Sequence, residues 1–249
     1  HFIAGDLCAA RIRDYLPDRQ LQFDFVSCQF AFHYSFKSQA SAEMMFRNAV
    51  ENLRPGGYFV GTIPDDNVLV AKVRSQSGRR FGNGLYDIHF DQSVNKNCFS
   101  EPFGNKYEFT LKDAVTKLPE YLVHFPSLVK LADEKFDMDL VGCDNFHEFF
   151  YKYARIPEYQ QLLRRMNVLP SIQHETITEK QWEAAYIYRV FVFRKRGPGV
   201  ASSSTSSSTS TTSVVNQDVG KLPTGFYQRH PNLRPGQKIA YNAIVKAES

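Results

Sequence analysis

Short apolar runs and longer stretches of helical period take turns along the first third of the chain. Phe2-Ile3-Ala4 reads as a strand with Gly5-Asp6 as the turn at its carboxyl end, and Leu7–Leu16 reads as a helix closed by Pro17. In Phe23–Gln29 only Asp24 interrupts Phe23, Phe25 and Val26, the pattern of a parallel strand covered on both faces. Ser38–Leu53 switches to helical spacing, with Met45, Phe46, Ala49, Val50 and Leu53 on one side and Ser38 or Ser41 as the cap. Pro55-Gly56-Gly57 is the expected stop, because proline cannot continue a helix and glycine accepts positive φ. Tyr58–Ile63 is the third strand, and Asp65 or Asp66 caps a helix running to about Val73. Strand and helix in alternation predict a doubly wound parallel sheet with right-handed crossovers.

Beyond Ser75 the pattern breaks. Ser75–Glu108 is polar and glycine-rich, with aromatic runs at Leu85–Phe90 and Tyr107–Thr110, and reads as a small antiparallel insertion over the sheet edge. Pro119–Val123 leads into a helix from about Pro126 to Lys135, and Phe136–Val141 is a strand. Helices are expected at Asn145–Tyr153, Glu158–Met166 and Ile177–Ala185. Tyr186–Phe193 is the last strand, forming a terminal antiparallel edge hairpin with the one before it. Ser202–Ser213 is unbroken Ser and Thr and cannot build a core. The expected organisation is a folded domain over 1–197, a Ser/Thr-rich linker over 198–219 and a disordered tail over 220–249. The fold class is α/β, a partial doubly wound sheet with its first strands missing, because His1–Asp6 reads as a strand already in progress.

Composition narrows the chemistry. Hydrophobic content of 43% and charged content of 22% are those of an ordinary globular protein. Aromatics reach 14%, with 21 Phe and 13 Tyr, enough to leave some free to stack on a planar ligand. The net charge is +4, but five basic residues against two acidic ones beyond Gly197 account for +3 of it. The body is nearly neutral, which argues against a broad surface tracking phosphates. Cys8, Cys28, Cys98 and Cys143 form no CxxC pair, so neither a zinc site nor a disulfide framework is expected and a reducing compartment fits. No apolar run is long enough to span a bilayer, and no signal peptide is seen.

The candidate site follows Phe23–Gln29. Gln29, His33 and Tyr34 arrive within six positions, just past the end of a strand, where ligands sit in open α/β sheets. Each has a plainer reading on pattern alone. Gln29 can be a strand-end hydrogen bonder, His33 and Tyr34 a packed loop pair, Asp6 a turn residue, Glu120 a helix cap and Tyr188 core. Arg194-Lys195-Arg196 reads as a solvated strand end before it reads as a nuclear-import signal.

The run Ser27-Cys28-Gln29-Phe30-Ala31-Phe32-His33-Tyr34-Ser35-Phe36 resembles the eukaryotic mRNA cap guanine-N7 methyltransferase family. Further matches follow in order: Met44-Met45 through Asn52–Thr62, Phe81-Gly82-Asn83, Phe103–Phe109, Pro119–Val123 and Trp182-Glu183-Ala184. The Pro-Gly-Gly element alone is weak, the Cys-Gln-Phe-x-x-His-Tyr-Ser-Phe run is specific, and the resemblance covers roughly Phe2 to Lys195.

The resemblance implies methyl transfer from S-adenosylmethionine to N7 of the terminal guanine of capped nascent mRNA, in the nucleus. It places Asp6, Gln29 and Tyr34 on the S-adenosylmethionine side and His33, Glu120 and Tyr188 around the cap guanine. It implies no metal and no membrane, and admits a small activating subunit and the transcription machinery as partners. The chemistry is consistent with those roles: guanine N7 carries no proton, so the reaction calls for alignment rather than a general base. An aromatic face such as Tyr34 suits a sulfonium. A carboxylate such as Glu120 suits N1–H and amine donors that grow more acidic as the ring gains positive charge. The family's glycine-rich loop and ribose-holding acid belong upstream of His1, so the chain alone is expected to bind cofactor weakly and not to turn over. The alternatives are a truncated isoform or pseudo-enzyme that binds cap, RNA or a partner, and a methyltransferase acting on a small molecule.

Overall fold

The computed structural model describes residues 3–166, 168 and 177–197. The Ser/Thr run, the tail and Phe2 lie outside them. The contacts divide the chain into two compact units, one reaching to Asn145 and resuming at Ile187, the other beginning at Phe146 and holding the helices up to Tyr186.

The first unit contains two four-stranded sheets. Its elements in order are β1 (Phe23–Gln29), α1 (Gln39–Val50), β2 (Leu53–Pro64), α2 (Asp66–Arg74), β3 (Arg80–Gly82), β4 (Tyr86–Phe90), β5 (Lys106–Leu111), β6 (Val115–Tyr121), α3 (Phe125–Phe136) and β7 (Met138–Asn145). After the second unit's α4 (Phe146–Tyr153), α5 (Pro157–Arg165) and α6 (Glu179–Ala185), β8 (Tyr188–Lys195) completes the main sheet.

The main sheet runs β1-β2-β8-β7, with β1 and β2 parallel and the other neighbours antiparallel. The last two strands do pair, as expected, but β8 lies inside the sheet between β2 and β7. One face is packed by α1 and α3. Met45, Phe46, Val50, Leu128 and Ala132 meet Phe59, Ile63, Phe191 and Phe193 in a single buried cluster. Gly61 is what lets β8 close on this face. A Cβ there would sit 2.3 Å from the Phe191 ring and 2.8 Å from the Cys28 carbonyl.

Four expectations need correction. Ile3-Ala4 is not in a strand, and Leu7–Leu16 is a turn followed by a short 3-10 helix at Ile12–Tyr15 rather than an α-helix. The chain there is held locally: the Asp6 carbonyl accepts from the Ala9 and Ala10 N–H groups, and Asn48 donates to the Leu7 and Ala10 carbonyls. Covering on both faces also fails for β1. Val26 and Cys28 pack on the core, but Phe25 is 58% exposed and Phe23 is exposed, so one face of β1 is covered and the other is open among the described residues. Finally, Pro55-Gly56-Gly57 does not stop α1. The helix ends at Val50, and the triplet lies within β2, Gly56 taking φ +78°. Lys195 caps the helix instead, its Nζ donating to the carbonyls of Val50 and Glu51.

Ser38 and Asp65 are the N-caps of α1 and α2, as their positions predict. The insertion is an antiparallel meander, β3-β4-β5-β6, extending to Tyr121 rather than ending near Glu108. In the second unit, His147 lies flat on Trp182 at 4.0 Å between ring centres, with Phe150 and Tyr151 edge-on to the same indole. A Thr178–Gln181 capping box starts α6.

Candidate functional site

The site begins where β1 ends. Phe30 takes φ +53°, a conformation rare for an aromatic residue, and its N–H is held by the backbone carbonyl and the hydroxyl of Thr62. This turn sends the chain into a 3-10 segment, Phe32–Lys37. Phe32 and Phe36 are fully buried. The Phe32 ring packs on Phe36, Phe46, Phe59 and Phe191 at 5.8–6.2 Å. Burying a ring of this size contributes about 1.5–3 kcal/mol, so Phe32 anchors the segment to the core. Ser35 closes the turn by donating to the Phe32 carbonyl at 2.7 Å. The Gly104 N–H donates to the Phe36 carbonyl at 2.9 Å, bringing the insertion alongside.

His33 and Tyr34 are thereby carried to Glu120. The Tyr34 hydroxyl donates to Glu120 Oε1 at 3.3 Å, and His33 Nε2 lies 3.3 Å from the same oxygen. The His33 and Tyr34 rings stand 4.3 Å apart. The other carboxylate oxygen, Oε2, accepts from Tyr107 at 2.8 Å. Tyr107 and Glu120 face each other across β5 and β6, so the sheet register itself sets this contact. Glu120 is 6% exposed and His33 2%, and neither ring nitrogen of His33 has a hydrogen-bond partner, Nε2 only approaching the carboxylate.

The electrostatics agree with the distances. Burial first and the Glu120 charge second push the Tyr34 phenol up to about 12. Burial raises Tyr107 well above the ordinary phenol value, with Glu120, Tyr188 and Tyr34 adding to it. Tyr188 is raised by burial and then by the charges of Glu120 and Tyr34, which puts it in the same neighbourhood. Its ring meets Phe30 edge-on at 5.0 Å. One buried carboxylate is therefore surrounded by phenols that keep their protons and can donate.

Of the six candidate residues, the structure brings four together: His33, Tyr34, Glu120 and Tyr188. Gln29 is exposed at the carboxyl end of β1, its amide donating to the Ser27 hydroxyl at 2.9 Å. Asp6 is exposed in its turn, with its carboxylate accepting from the Cys8 N–H at 2.8 Å. Neither has a contact with the Glu120 cluster. Tyr107 is the residue that sequence reading passed over. Nothing in Lys-Tyr-Glu-Phe marks it, and its significance comes from a strand partner thirteen positions away. Among the described residues, no group of three or more His, Cys, Asp or Glu side chains could hold a metal ion.

Comparison with known proteins gives a consistent answer. A family model described as mRNA (guanine-N(7))-methyltransferase domain matches residues 1–196. The mRNA cap guanine-N(7) methyltransferase 1 of Oryza sativa is 43% identical over 199 residues, covering 78% of this chain and 53% of that protein. The mRNA cap guanine-N(7) methyltransferase of Drosophila melanogaster is 37% identical over 223 residues, covering 78% and 50%. The Schizosaccharomyces pombe protein of the same name is 34% identical over 198 residues, covering 79% and 54%. The chain thus spans about half the length of the curated relatives it matches.

Proposed function

The chain belongs to the mRNA (guanine-N(7))-methyltransferase family, and from that premise we propose that it carries the guanine-holding wall of an mRNA cap guanine-N7 methyltransferase. The observation that supports this most is the buried Glu120 carboxylate, held by Tyr107 on one oxygen and faced by Tyr34 and His33 on the other.

In this reading the Glu120 carboxylate accepts from guanine N1–H and the exocyclic amine. The Tyr34 and His33 contacts at 3.3 Å are long for hydrogen bonds and are the ones a guanine edge would displace or share. Tyr107, at 2.8 Å, keeps the carboxylate in place while that happens. His33 and Tyr188 flank the purine, and Tyr34 presents its ring on the side of the methyl donor. S-adenosylmethionine would supply the methyl group, with Asp6 near its adenine and Gln29 also on its side. Guanine N7 is an in-plane lone pair, so no proton has to be removed. The residues act by orientation, worth on the order of 7–11 kcal/mol where alignment is good. The purine becomes cationic as N7 is methylated. A fixed, desolvated carboxylate stabilises that charge more than it stabilises the neutral ground state.

Capped nascent mRNA is the substrate and the nucleus the compartment in this reading. Arg194-Lys195-Arg196 contributes little to the second point. Lys195 is occupied on α1, and Arg196 donates to the carbonyl and carboxylate of Asp133. Calorimetric titration with the capped dinucleotide GpppG and with its adenine counterpart ApppA tests the proposal. Binding of GpppG alone is expected, whereas equal affinity for both would contradict it.

A further inference from the structure

Asp65 touches both places where the main sheet gives up and recovers the chain. The strand β7 ends at Asn145, and Ile187 precedes the first residue of β8. The Asp65 N–H donates to the Ile187 carbonyl at 2.7 Å. Its Oδ2 accepts from the Asn145 side chain at 3.0 Å, and its Oδ1 accepts from Arg189 Nη2 at 2.6 Å. Asn145 and Arg189 are themselves partners in the β7–β8 ladder. One aspartate, 3% exposed, thus bonds to the exit strand, the re-entry backbone and the re-entry side chain.

The arrangement is more than a helix cap. Capping needs only the bond from the Asn67 N–H to Asp65 Oδ1, which is also present at 3.1 Å. Arg189 is buried, lies over the Phe125 ring at 4.5 Å, and places Nη1 3.3 Å from Asp66. A guanidinium held on three sides has little freedom, and its neighbour in sequence is Tyr188. Alternation along a strand sends those two side chains to opposite faces. Fixing Arg189 on one face therefore fixes where Tyr188 stands on the other.

We propose that Asp65, through Asn145, Ile187 and Arg189, clasps the ends of β7 and β8 and is the positioning residue for Tyr188 at the guanine wall. The assignment rests on the reading of that wall given above. Buried ion pairs commonly do little for net stability, and their best-attested use is to fix one arrangement among several.

The test uses Asp65→Ala, Asp65→Asn and Tyr188→Ala, singly and with Asp65→Ala and Tyr188→Ala combined. Hydrogen exchange is read at residues 187–190 and affinity is read with GpppG. Asp65→Ala should speed exchange at the strand end and weaken GpppG about tenfold, with no further loss when Tyr188 is already alanine, the signature of coupled sites. Asp65→Asn should restore binding to within about threefold, since an amide still accepts from Arg189 and leaves one carboxylate for one guanidinium. Unchanged exchange at 187–190 would overturn the clasp. So would a full tenfold loss added on top of Tyr188→Ala. The wall reading fails separately, if Glu120→Gln leaves GpppG affinity unchanged while Asp65→Ala still loosens the strand end.

Discussion

The Tyr107 hydroxyl donates to Glu120 Oε2 at 2.8 Å, and both residues are buried, so a neutral phenol and a carboxylate share one enclosed hydrogen bond across neighbouring strands. Replacing Tyr107 by Phe keeps the ring and removes the donor. The carboxylate oxygen is then left buried without that partner, at a cost of about 1–3 kcal/mol. Urea denaturation of Tyr107→Phe should show that loss, and GpppG should bind more weakly. Unchanged stability and unchanged affinity together would show that Tyr107 does not hold Glu120.

Gly61 predicts a packing cost. Gly61→Ala drives a methyl group into the Phe191 ring, which is fully buried and has little room to yield. Overpacking of this kind costs about 1–3 kcal/mol. Thermal melts should show the destabilisation, and a variant as stable as the parent would mean that Phe191 does not close over β2.

Much of this was legible from the chain alone, for definable reasons. The strand Phe23–Gln29, the Ser38 and Asp65 caps and the antiparallel insertion follow from local rules of period and capping. Leu7–Leu16 misled because its apolar residues have helical spacing, but Asp6 and Asn48 bind the backbone carbonyls and N–H groups into turns. The Pro-Gly-Gly stop misled because a positive-φ glycine serves a bend in a strand as well as a helix end. At the site, His33 and Tyr34 could be named from their place just past the end of β1, whereas Glu120 could be named only through a family resemblance. The role of Tyr107 could not be named, since it depends on the β5–β6 register, nor could the Asp65–Arg189 contact, which joins a helix cap to a strand far along the chain.

His147 predicts an acid-sensitive second unit. Burial against Trp182 lowers its pKa from 6.5 to about 4, a hydrogen bond to the Trp182 carbonyl opposing the shift only in part. The folded state therefore prefers the neutral ring. Its contribution to stability is present above pH 6.5 and is lost as the pH falls through about 4. Trp182 is the one tryptophan in the chain, so its fluorescence reports this stack alone. An acid titration should show the transition near pH 4, and a midpoint near 6.5 would contradict the stack.

Asp66 predicts the opposite slope. Burial raises its pKa above 3.8, outweighing the pull of Arg189 and the bond from the Phe125 N–H. Ionising Asp66 costs more in the fold than in the unfolded chain, so its contribution to stability is fully present below pH 3.8 and is lost as pH rises through the raised value. Asp66→Asn cannot ionise and still accepts from Phe125. Melting temperatures of the variant and the parent, compared from pH 4 to 7, should move in the variant's favour as pH rises. A difference that moves the other way would show that the Arg189 attraction dominates.

The central claim is that Glu120 reads the guanine, and titration of the capped dinucleotide GpppG against the parent protein and Glu120→Gln tests it most directly. The amide keeps the shape and one acceptor but loses the charge and presents a donor where the purine also donates. Hydrogen bonds to a charged group are worth about 1.5–3 kcal/mol, so GpppG affinity should fall roughly 10- to 150-fold. A Glu120→Gln variant that binds GpppG as tightly as the parent would contradict the account.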